Sequence, residues 1–446
     1  MARTQRIRDP IHGLIVFREA EPLDQIAWKL LNTSELQRLR RIKQLGFCEF
    51  VFPGATHTRL SHCIGVFETA RRLVEIIKRQ AGEVDEDRAE EATLAALLHD
   101  IGHGPFSHAF EQVQRSQGLK KRHEAWSAQI IRDPKGQIQP LLEEYRRGLA
   151  DKVADVLVAE TPTDIYDAIV RSSFDADRLD YLQRDRIMTG SGAGAIDFDW
   201  LLENLRIEPI DVDPDGDGRG VQRRSFCLDA KALQSAEAFL LARFHLYTQV
   251  YLHKTIRGVE QMFAALLRAV AAAAAKGRFE EAGLDPKHPL ARFFGSRGED
   301  AAAYLALDDA VLWGAVEGFR RAGDAYIVAM AERLWGRRLF KALDIESVYD
   351  QSAEIQRRAI RRIERDYAGE MGRMVLKDTA TISIYGVVGA DDAAAQNRLM
   401  IRTSNGLREI TELSPAISSL VSPKGRSFTR FYFSSSAERD RARDGK

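Results

Sequence analysis

Residues 99–108 read His99-Asp100-Ile101-Gly102-His103-Gly104-Pro105-Phe106-Ser107-His108 and contain three of the ten histidines in a chain of 446 residues. The apolar run 95–98 precedes this segment, which is typical of a helix that ends near Gly102. Adjacent His and Asp offer one metal ion a neutral imidazole nitrogen and an anionic oxygen, a combination that suits divalent ions able to activate water. The alternative, a helix end with stray surface histidines, explains this clustering poorly.

Length and composition limit the class of protein. A chain of 446 residues favours two domains, or one large domain with an appendage. Lys plus Arg and Asp plus Glu both total 65, so the net charge neither favours nor excludes a polyanionic partner. Three cysteines without metal-binding spacing are typical of a reducing cytoplasm, which is the expected location. No apolar run reaches about 18 residues, so we expect no membrane partner.

Apolar periodicity predicts a mainly α fold with a smaller α+β region at its C-terminal side. Most of residues 23–345 repeats its apolar positions at helical spacing, and the longest stretch, 229–276, favours two helices or one that bends. A short β-branched arm, 11–17, precedes this part. We predict a helical domain at 1–345 with a hairpin inserted at about 203–228, an α+β region at 346–434 and a disordered tail at 435–446.

A metal held by His99 and Asp100 alone would bind weakly, so further ligands are needed. His62 lies upstream at the start of a predicted helix, and the segment 174–185 carries more aspartates than helix packing requires. Taken alone, His62 would be interpreted as a surface or core histidine. Together with the other two segments, it predicts a site of two histidines and two carboxylates with room for water.

His62, His99-Asp100 and Asp177 match the H…HD…D pattern of the HD-domain metal-dependent phosphohydrolases. The sequence further resembles the deoxynucleoside triphosphate triphosphohydrolase branch of that family. Four segments in the same order carry this resemblance: 9–13 (DPIHG), 37–46 (QRLRRIKQLG), 51–55 (VFPGA) and 99–108. The animal members of that branch carry an added sterile-alpha-motif domain, and we expect none in this sequence. The similarity runs from about residue 6 to 260 and weakens towards the C-terminus.

The resemblance implies a role for each matching residue. A divalent metal (Mn, Mg, Fe, Ni or Zn) would be bound by His62, His99, Asp100 and Asp177. Catalytic or phosphate-lining roles fall to His103, His108, Glu111 and His123. Substrate contacts fall to Gln44, Leu45, Arg59, Arg178, Tyr181, Asp185, Arg243, Tyr247, Tyr251 and Lys254.

Some of these residues have ordinary alternatives. His108 and Glu111 are three apart, so on a helix they share a face and the carboxylate can orient the imidazole. A solvated helix residue is the alternative for Glu111, and a helix cap is the alternative for His123. Arg243, Tyr247 and Tyr251 have the spacing of an exposed helix face. Tyr247 also stands where the animal members have a histidine, so contacts near the sugar or base would differ.

The function implied by the resemblance is hydrolysis of a deoxynucleoside triphosphate to a deoxynucleoside and inorganic triphosphate, with water attacking the α-phosphorus. A second hypothesis keeps the site but gives it another nucleotide or a nucleic-acid phosphoester. A third is a nucleotide- or nucleic-acid-binding regulatory protein with a vestigial site, motivated by the basic cluster 357–362. Expected partners are a nucleoside triphosphate substrate, a nucleotide effector and further copies of the chain, with single-stranded nucleic acid as an alternative.

Overall fold

The computed structural model describes residues 3–159, 161–192, 195–212, 221–296, 300–349, 352–383, 386–387, 398–420 and 426–445. Helices predominate in these ranges and the strands are short. The predicted mainly α fold, with an inserted hairpin and a smaller α+β C-terminal region, is confirmed. Within the described ranges, none of the helices has the length and apolar character that crossing a bilayer requires.

The helices up to residue 203 are α1 (Pro22–Leu31), α2 (Ser34–Arg38), α3 (Arg59–Ala81), α4 (Glu86–Leu98), α5 (His108–Ser116), α6 (His123–Arg132), α7 (Ile138–Tyr145), α8 (Leu149–Val158), α9 (Asp167–Val170), α10 (Ala176–Thr189) and α11 (Phe198–Glu203). Those that follow are α12 (Leu233–Leu246), α13 (Lys254–Ala274), α14 (Phe279–Ala282), α15 (Pro289–Gly295), α16 (Ala301–Leu305), α17 (Asp309–Phe319), α18 (Ala325–Trp335), α19 (Ile345–Val348), α20 (Ala353–Asp366), α21 (Ile410–Leu413), α22 (Pro415–Leu420) and α23 (Ser436–Asp444). The strands are β1 (Gln5–Asp9), β2 (Gly13–Phe17), β3 (Leu205–Val212), β4 (Val221–Asp229), β5 (Lys341–Asp344), β6 (Val375–Ser383), β7 (Gly386–Val387), β8 (Met400–Thr403), β9 (Gly406–Glu409) and β10 (Arg426–Phe433).

Three helices, α3, α4 and α10, form the centre of the helical part. The Thr58 side chain caps α3 and the Asp175 side chain caps α10, each accepting a hydrogen bond from a backbone amide of the first turn. The three helices contribute Val66, Ala92 and Leu179 to one buried apolar cluster. Both α4 and α10 pack on α3. His62 in the first turn of α3 and His99 at the end of α4 both contact Asp177 in the first turn of α10, so these three helix ends lie close together.

The strands form a hairpin and two four-stranded sheets. β1 pairs antiparallel with β2, and Asp9 lies opposite Gly13. β3 and β4 form the predicted inserted hairpin, and β8 adds to β4 in parallel, giving the order β3-β4-β8-β9. The second sheet has the order β5-β10-β6-β7. Strands from the C-terminal region therefore extend the sheet of the inserted hairpin.

The structure differs from the predicted organisation at two places. β5 belongs to the second sheet, so that sheet begins before the expected boundary at 346. The prediction of a disordered tail from residue 435 is wrong for α23. Ser435 caps this helix, Arg362 Nη2 donates to the Ala442 carbonyl oxygen at 2.6 Å, and Ala442 is buried. A charged sequence with one apolar contact residue concealed the helix. The division of the chain into domains otherwise stays a prediction.

Candidate active site

Three of the four predicted metal ligands converge at the meeting point of α3, α4 and α10. His62 Nε2 lies 2.9 Å from Asp177 Oδ1, and His99 Nε2 lies 3.7 Å from the same oxygen. His62, His99 and Asp177 each offer one donor atom to a group whose members all lie within 4.8 Å of one another. Ligands that are 115 residues apart in the sequence are thus adjacent in the fold.

Asp100, the fourth predicted ligand, lies beside this group and also pairs with a cation. Its Oδ1 atom is 3.3 Å from His99 Nε2 and 3.2 Å from His103 Nε2, while Oδ2 accepts a hydrogen bond from Arg59 Nη1. Burial raises the pKa of Asp100, but Arg59, His99 and His103 outweigh it and hold that pKa well below its usual range. Asp100 is therefore an anion next to the donor group.

The donor chemistry of His99 fits a divalent metal. Its Nδ1 atom donates to the Ala96 carbonyl oxygen at 2.8 Å, which leaves Nε2 with its lone pair. That Nε2 atom is buried and has no hydrogen-bond partner among the described residues. A buried acceptor without a partner is costly, and a metal ion shared with a carboxylate satisfies it.

Sequence reasoning missed Asp180, the carboxylate that holds His62. Asp180 Oδ2 lies 2.7 Å from His62 Nδ1, and both side chains are fully buried. Burial lowers the pKa of His62, but hydrogen bonds to Asp177 and Asp180 outweigh it and raise that pKa to about 10. Asp180 follows Asp177 by about one helical turn, and this spacing could have indicated that both aspartates lie on the helix face that meets His62.

A second group lies next to the first and contains His103, Glu111 and His123. His123 Nδ1 is 3.0 Å from Glu111 Oε1, and the rings of His103 and His123 stack with centroids 3.9 Å apart. Burial lowers the pKa of His123, but Glu111 and its neighbours raise it above the usual value. Burial, together with Arg59 and His123, holds the pKa of His103 well below its usual value. The two histidines therefore favour opposite protonation states.

His108 begins α5 and has an exposed imidazole, with 70% of its side chain accessible. Its Nδ1 atom is 3.7 Å from Glu111 Oε2, which is longer than a hydrogen bond. The structure thus places His108 and Glu111 on one helix face, as the spacing predicts, but Glu111 makes its histidine hydrogen bond with His123.

The turn before α5 is strained. Phe106 and Ser107 have φ angles of 50° and 46°, a region that residues other than glycine rarely adopt. The Phe106 amide donates to Asp309 Oδ1 at 2.8 Å, and Ser107 Oγ accepts from Arg59 Nη2 at 2.7 Å. Strain of this kind persists where surrounding contacts determine the conformation. The turn thereby fixes Arg59 beside Asp100, one of the predicted metal ligands.

An aromatic group surrounds Asp185, where the resemblance implies sugar and base contacts. Asp185 accepts hydrogen bonds from Tyr251 Oη at 2.6 Å and from His57 Nε2 at 2.8 Å. The Tyr251 ring meets Tyr181 at 6.3 Å and Tyr247 at 5.0 Å between centroids, both edge to face. Sequence reasoning did not single out His57, because nothing local links it to a carboxylate 128 residues away.

The stretch 229–276, predicted as two helices or one that bends, forms two helices on either side of this aromatic group. α12 passes into a π-helical turn, Tyr247–Tyr251, and α13 follows. The turn carries both tyrosines, and the Arg243 guanidinium lies 5.7 Å from the Tyr247 ring centroid. The first alternative, two helices, is the one that the structure has, and the turn between them is a one-turn π-helix of the kind often found at functional sites.

The remaining predicted substrate residues occupy varied surroundings. Gln44 Oε1 is buried without a hydrogen-bond partner among the described residues, and Leu45 packs at the edge of the same apolar cluster as Tyr181. Arg178 Nη1 donates to the Ser172 carbonyl oxygen at 2.9 Å. Lys254 is exposed as the first residue of α13.

Comparison with protein families agrees with this geometry. Residues 59–184, which contain every predicted metal ligand, match the HD domain. The chain therefore contains an HD domain at 59–184. Residues 220–285 match the HD associated region, so the hairpin strand β4 and helices α12 and α13 belong to a recurrent companion of the HD domain.

Two curated relatives differ in how much of their own length this chain covers. The uncharacterized Bacillus subtilis protein YwfO is 28% identical over 96% of this chain and 91% of its own length. A Dictyostelium discoideum protein named deoxynucleoside triphosphate triphosphohydrolase SAMHD1 homolog is 32% identical over 58% of this chain and 48% of its own. The chain thus spans about half the length of that relative.

Solved structures share the fold over nearly the whole chain. A phosphohydrolase from Bacteroides thetaiotaomicron superposes with a TM-score of 0.73 and 25% identity, covering 96% of this chain and all of the other. A hypothetical protein from Aquifex aeolicus has a TM-score of 0.72 and 26% identity over 99% of both chains. The HD phosphohydrolase fold supports a hydrolase.

Proposed function

We propose that this chain hydrolyses deoxynucleoside triphosphates to a deoxynucleoside and inorganic triphosphate. The observation that carries the proposal is the position of Arg59, which pairs with Asp100 beside the metal donors and is fixed by Ser107. A guanidinium next to a metal site is suited to a phosphoryl group with several negative charges. The relatives named deoxynucleoside triphosphate triphosphohydrolases favour this substrate class.

In this proposal His62, His99 and Asp177 hold a divalent metal, with Asp100 beside them. When bound, such an ion polarises a phosphoryl oxygen and lowers the pKa of water. The residues do not select one metal, because two histidines with carboxylates accept Mn, Fe, Mg, Ni or Zn according to supply.

In this proposal three side chains have separate roles in the reaction. Arg59 neutralises negative charge that develops at the α-phosphate, and His103 lies beside it as a neutral hydrogen-bond donor, since its pKa is low. Water attacks the α-phosphorus and releases one proton to the solvent while the bond to the 5′-oxygen breaks. His108, whose exposed imidazole is free to approach a ligand, supplies the proton to the departing 5′-oxygen.

The aromatic group around Asp185 serves the nucleoside end in this proposal. Asp185 is an acceptor that can exchange a hydrogen bond from Tyr251 for one from a sugar hydroxyl. Tyr181 and Tyr247 present flat apolar rings at the same place, as nucleoside recognition requires. A site built in this way distinguishes nucleotides by sugar and base as well as by phosphate.

A product panel tests the proposal. Purified protein is stripped with EDTA, reloaded with Mn²⁺ or Mg²⁺, and incubated separately with the four dNTPs, the four NTPs and single-stranded DNA. We expect deoxynucleoside and triphosphate in equal amounts from at least one dNTP, with the reaction lost in Asp177→Asn. Orthophosphate or a nucleoside monophosphate as the product would contradict the proposal. Turnover of DNA alone would favour the second hypothesis, and nucleotide binding without any turnover would favour the third.

The resemblance also implies nucleotide effectors and assembly of several copies, which we include in the proposal. The test is light scattering of the protein with and without a second nucleotide, in parallel with the rate of dNTP turnover. We expect mass and rate to rise together. A constant mass with an unchanged rate would contradict this part and leave the chemistry untouched.

A further inference from the structure

The DPIHG segment at 9–13 contains two side chains, Asp9 and His12, that the proposed chemistry does not use. Asp9 Oδ1 accepts hydrogen bonds from the amides of Ile11 at 2.9 Å and His12 at 3.0 Å, which closes the turn between β1 and β2. The Asp9 side chain is 4% exposed and the His12 side chain 3%. Both polar groups therefore face the interior, where polar groups need partners.

Arg184 on α10 connects this turn to Asp180. Its Nη1 and Nη2 atoms donate to the two Asp9 oxygens at 2.8 and 3.2 Å. Its Nε and Nη2 atoms donate to the two Asp180 oxygens at 2.8 and 2.9 Å. One guanidinium thus forms two two-pronged carboxylate pairs, a geometry that fixes direction as well as charge.

Asp180 is held by four hydrogen bonds. Its Oδ1 atom accepts from His12 Nε2 at 2.7 Å and from Arg184, and its Oδ2 atom accepts from His62 Nδ1 at 2.7 Å and from Arg184. A carboxylate has about four acceptor directions, so all are used. Only one orientation of Asp180 satisfies every partner, and that orientation places an acceptor at His62 Nδ1.

We infer that the Asp9–His12 turn is a positioning unit for the metal ligand His62, acting through Arg184 and Asp180. With its Nδ1 atom hydrogen-bonded to Asp180, His62 points Nε2 at Asp177, so a metal ion bound there would replace the proton that Nε2 shares with that carboxylate. The inference rests on the proposed metal site. It gives the turn between β1 and β2 the role of orienting His62 in that site.

Gly65 gives independent support. This residue lies on α3 one turn after His62, and a Cβ atom there would meet Asp180 Oδ1 at 2.0 Å and Arg184 Nη2 at 2.3 Å. The carboxylate and the guanidinium therefore approach the α3 backbone more closely than any side chain at this position would allow. The absence of a side chain at Gly65 leaves room for Asp180 and Arg184 next to His62, the predicted ligand that Asp180 contacts.

The test compares Mn²⁺ affinity in EDTA-stripped wild type, His12→Leu, His12→Gln and Asp9→Asn, read from the electron paramagnetic resonance signal of free Mn²⁺. His12→Leu and Asp9→Asn are expected to weaken binding about 10-fold, the lower end for outer-sphere partners of metal-bound histidine. His12→Gln retains a donor of similar reach and should restore most of the affinity. At saturating Mn²⁺ the dNTPase rate of the weakened variants should return towards that of wild type.

A matched control removes an equivalent pair elsewhere. Arg257 donates from Nε and Nη2 to both oxygens of buried Asp378, so Asp378→Asn breaks a similar pair without touching His62. Thermal unfolding of the metal-stripped proteins tests whether each variant folds. If His12→Leu does not fold, His12→Asn replaces it, because its shorter side chain cannot reach Asp180.

Folded His12 and Asp9 variants that bind Mn²⁺ as wild type does would overturn the inference, and so would equal weakening in Asp378→Asn. In those cases wild type still binds Mn²⁺ and the proposed function stands. Failure of wild type itself to bind Mn²⁺ would instead contradict the proposed metal site, and the inference with it.

Discussion

The Nδ1 atom of His123 lies 3.0 Å from a carboxylate oxygen of Glu111. This hydrogen bond joins α5 to α6. The sequence predicted that Glu111 would pair with His108, but its partner is His123. Burial raises the pKa of Glu111, but His108 and His123 outweigh it and hold that pKa well below its usual range. Glu111 is therefore a buried anion that can stabilise a protonated imidazole beside the predicted metal ligands.

Replacing Glu111 tests this pair. We expect Glu111→Gln to lower kcat for the preferred dNTP about 100-fold, because His123 loses its charged acceptor, with a smaller change in KM. The control is Glu124→Gln, which removes a carboxylate 3.5 Å from the other nitrogen of the same histidine. Steady-state kinetics measure both variants. Equal losses in the two would show that Glu111 has no special part.

The proton donor can be identified from the leaving group. We expect His108→Ala to lower kcat for a dNTP about 100- to 10,000-fold, the usual range for removal of a general acid. With the 5′-thio analogue of the same dNTP, whose 5′-sulfur can leave as a thiolate without receiving a proton, the loss should be much smaller. If His123→Ala shows this difference and His108→Ala does not, His123 is the donor.

Removing one metal donor should remove the metal. Asp177→Asn replaces the carboxylate whose Oδ1 atom lies near both His62 and His99, and we expect Mn²⁺ binding and turnover to disappear together. Asp199→Asn is the control, since Asp199 is an exposed aspartate that pairs with Arg72. Titration calorimetry on stripped protein measures both variants. Retained Mn²⁺ binding in Asp177→Asn would place the metal elsewhere.

Two alanine substitutions at helical glycines should have opposite effects on stability. Gly65→Ala introduces a Cβ against Asp180 and Arg184, and we expect it to lower the free energy of unfolding by about 1–3 kcal/mol. Gly314→Ala on α17 meets nothing within 4 Å and should raise it by up to about 1 kcal/mol, because alanine favours helix. Chemical denaturation measures both. A stable Gly65→Ala protein would mean that the Asp180–Arg184 pair can move.

Asp309 predicts a pH-dependent contribution to stability. Burial raises its pKa to about 6, although the amides of Lys43 and Phe106 lower it. An acid whose pKa is higher in the folded state destabilises the fold once ionised. Its favourable contribution is present below about pH 4 and is lost as pH rises to about 6. Relative to Asp309→Asn, the unfolding free energy of wild type should therefore fall by about 3 kcal/mol across this range. A constant difference between pH 4 and 7 would contradict the assigned pKa.

Three of the four predicted metal ligands lie in short segments with their own chemical signature, and His62 was added because those segments needed a further ligand. His99 and Asp100 are adjacent, and Asp177 lies in a segment dense with aspartates. The mainly α fold followed from periodicity in the same way. These features depend on neighbours within about ten residues, so one sequence is enough to detect them.

Features that depend on distant partners were missed. His57 finds its carboxylate 128 residues away, and Asp309 holds Phe106 across 203 residues. The sequence predicted His108 as the partner of Glu111, whereas the structure pairs Glu111 with His123. That pairing depends on where α6 packs, which no local pattern encodes. α23 was missed for a related reason, since its one buried residue, Ala442, gives no periodic signal.

Hydrolysis of dGTP in ¹⁸O-labelled water with Mn²⁺, followed by mass spectrometry of the products, tests the central claim most directly. Attack of water on the α-phosphorus with cleavage of the bond to the 5′-oxygen predicts inorganic triphosphate carrying one ¹⁸O atom and unlabelled deoxyguanosine. Labelled orthophosphate, pyrophosphate or deoxyguanosine monophosphate would contradict it.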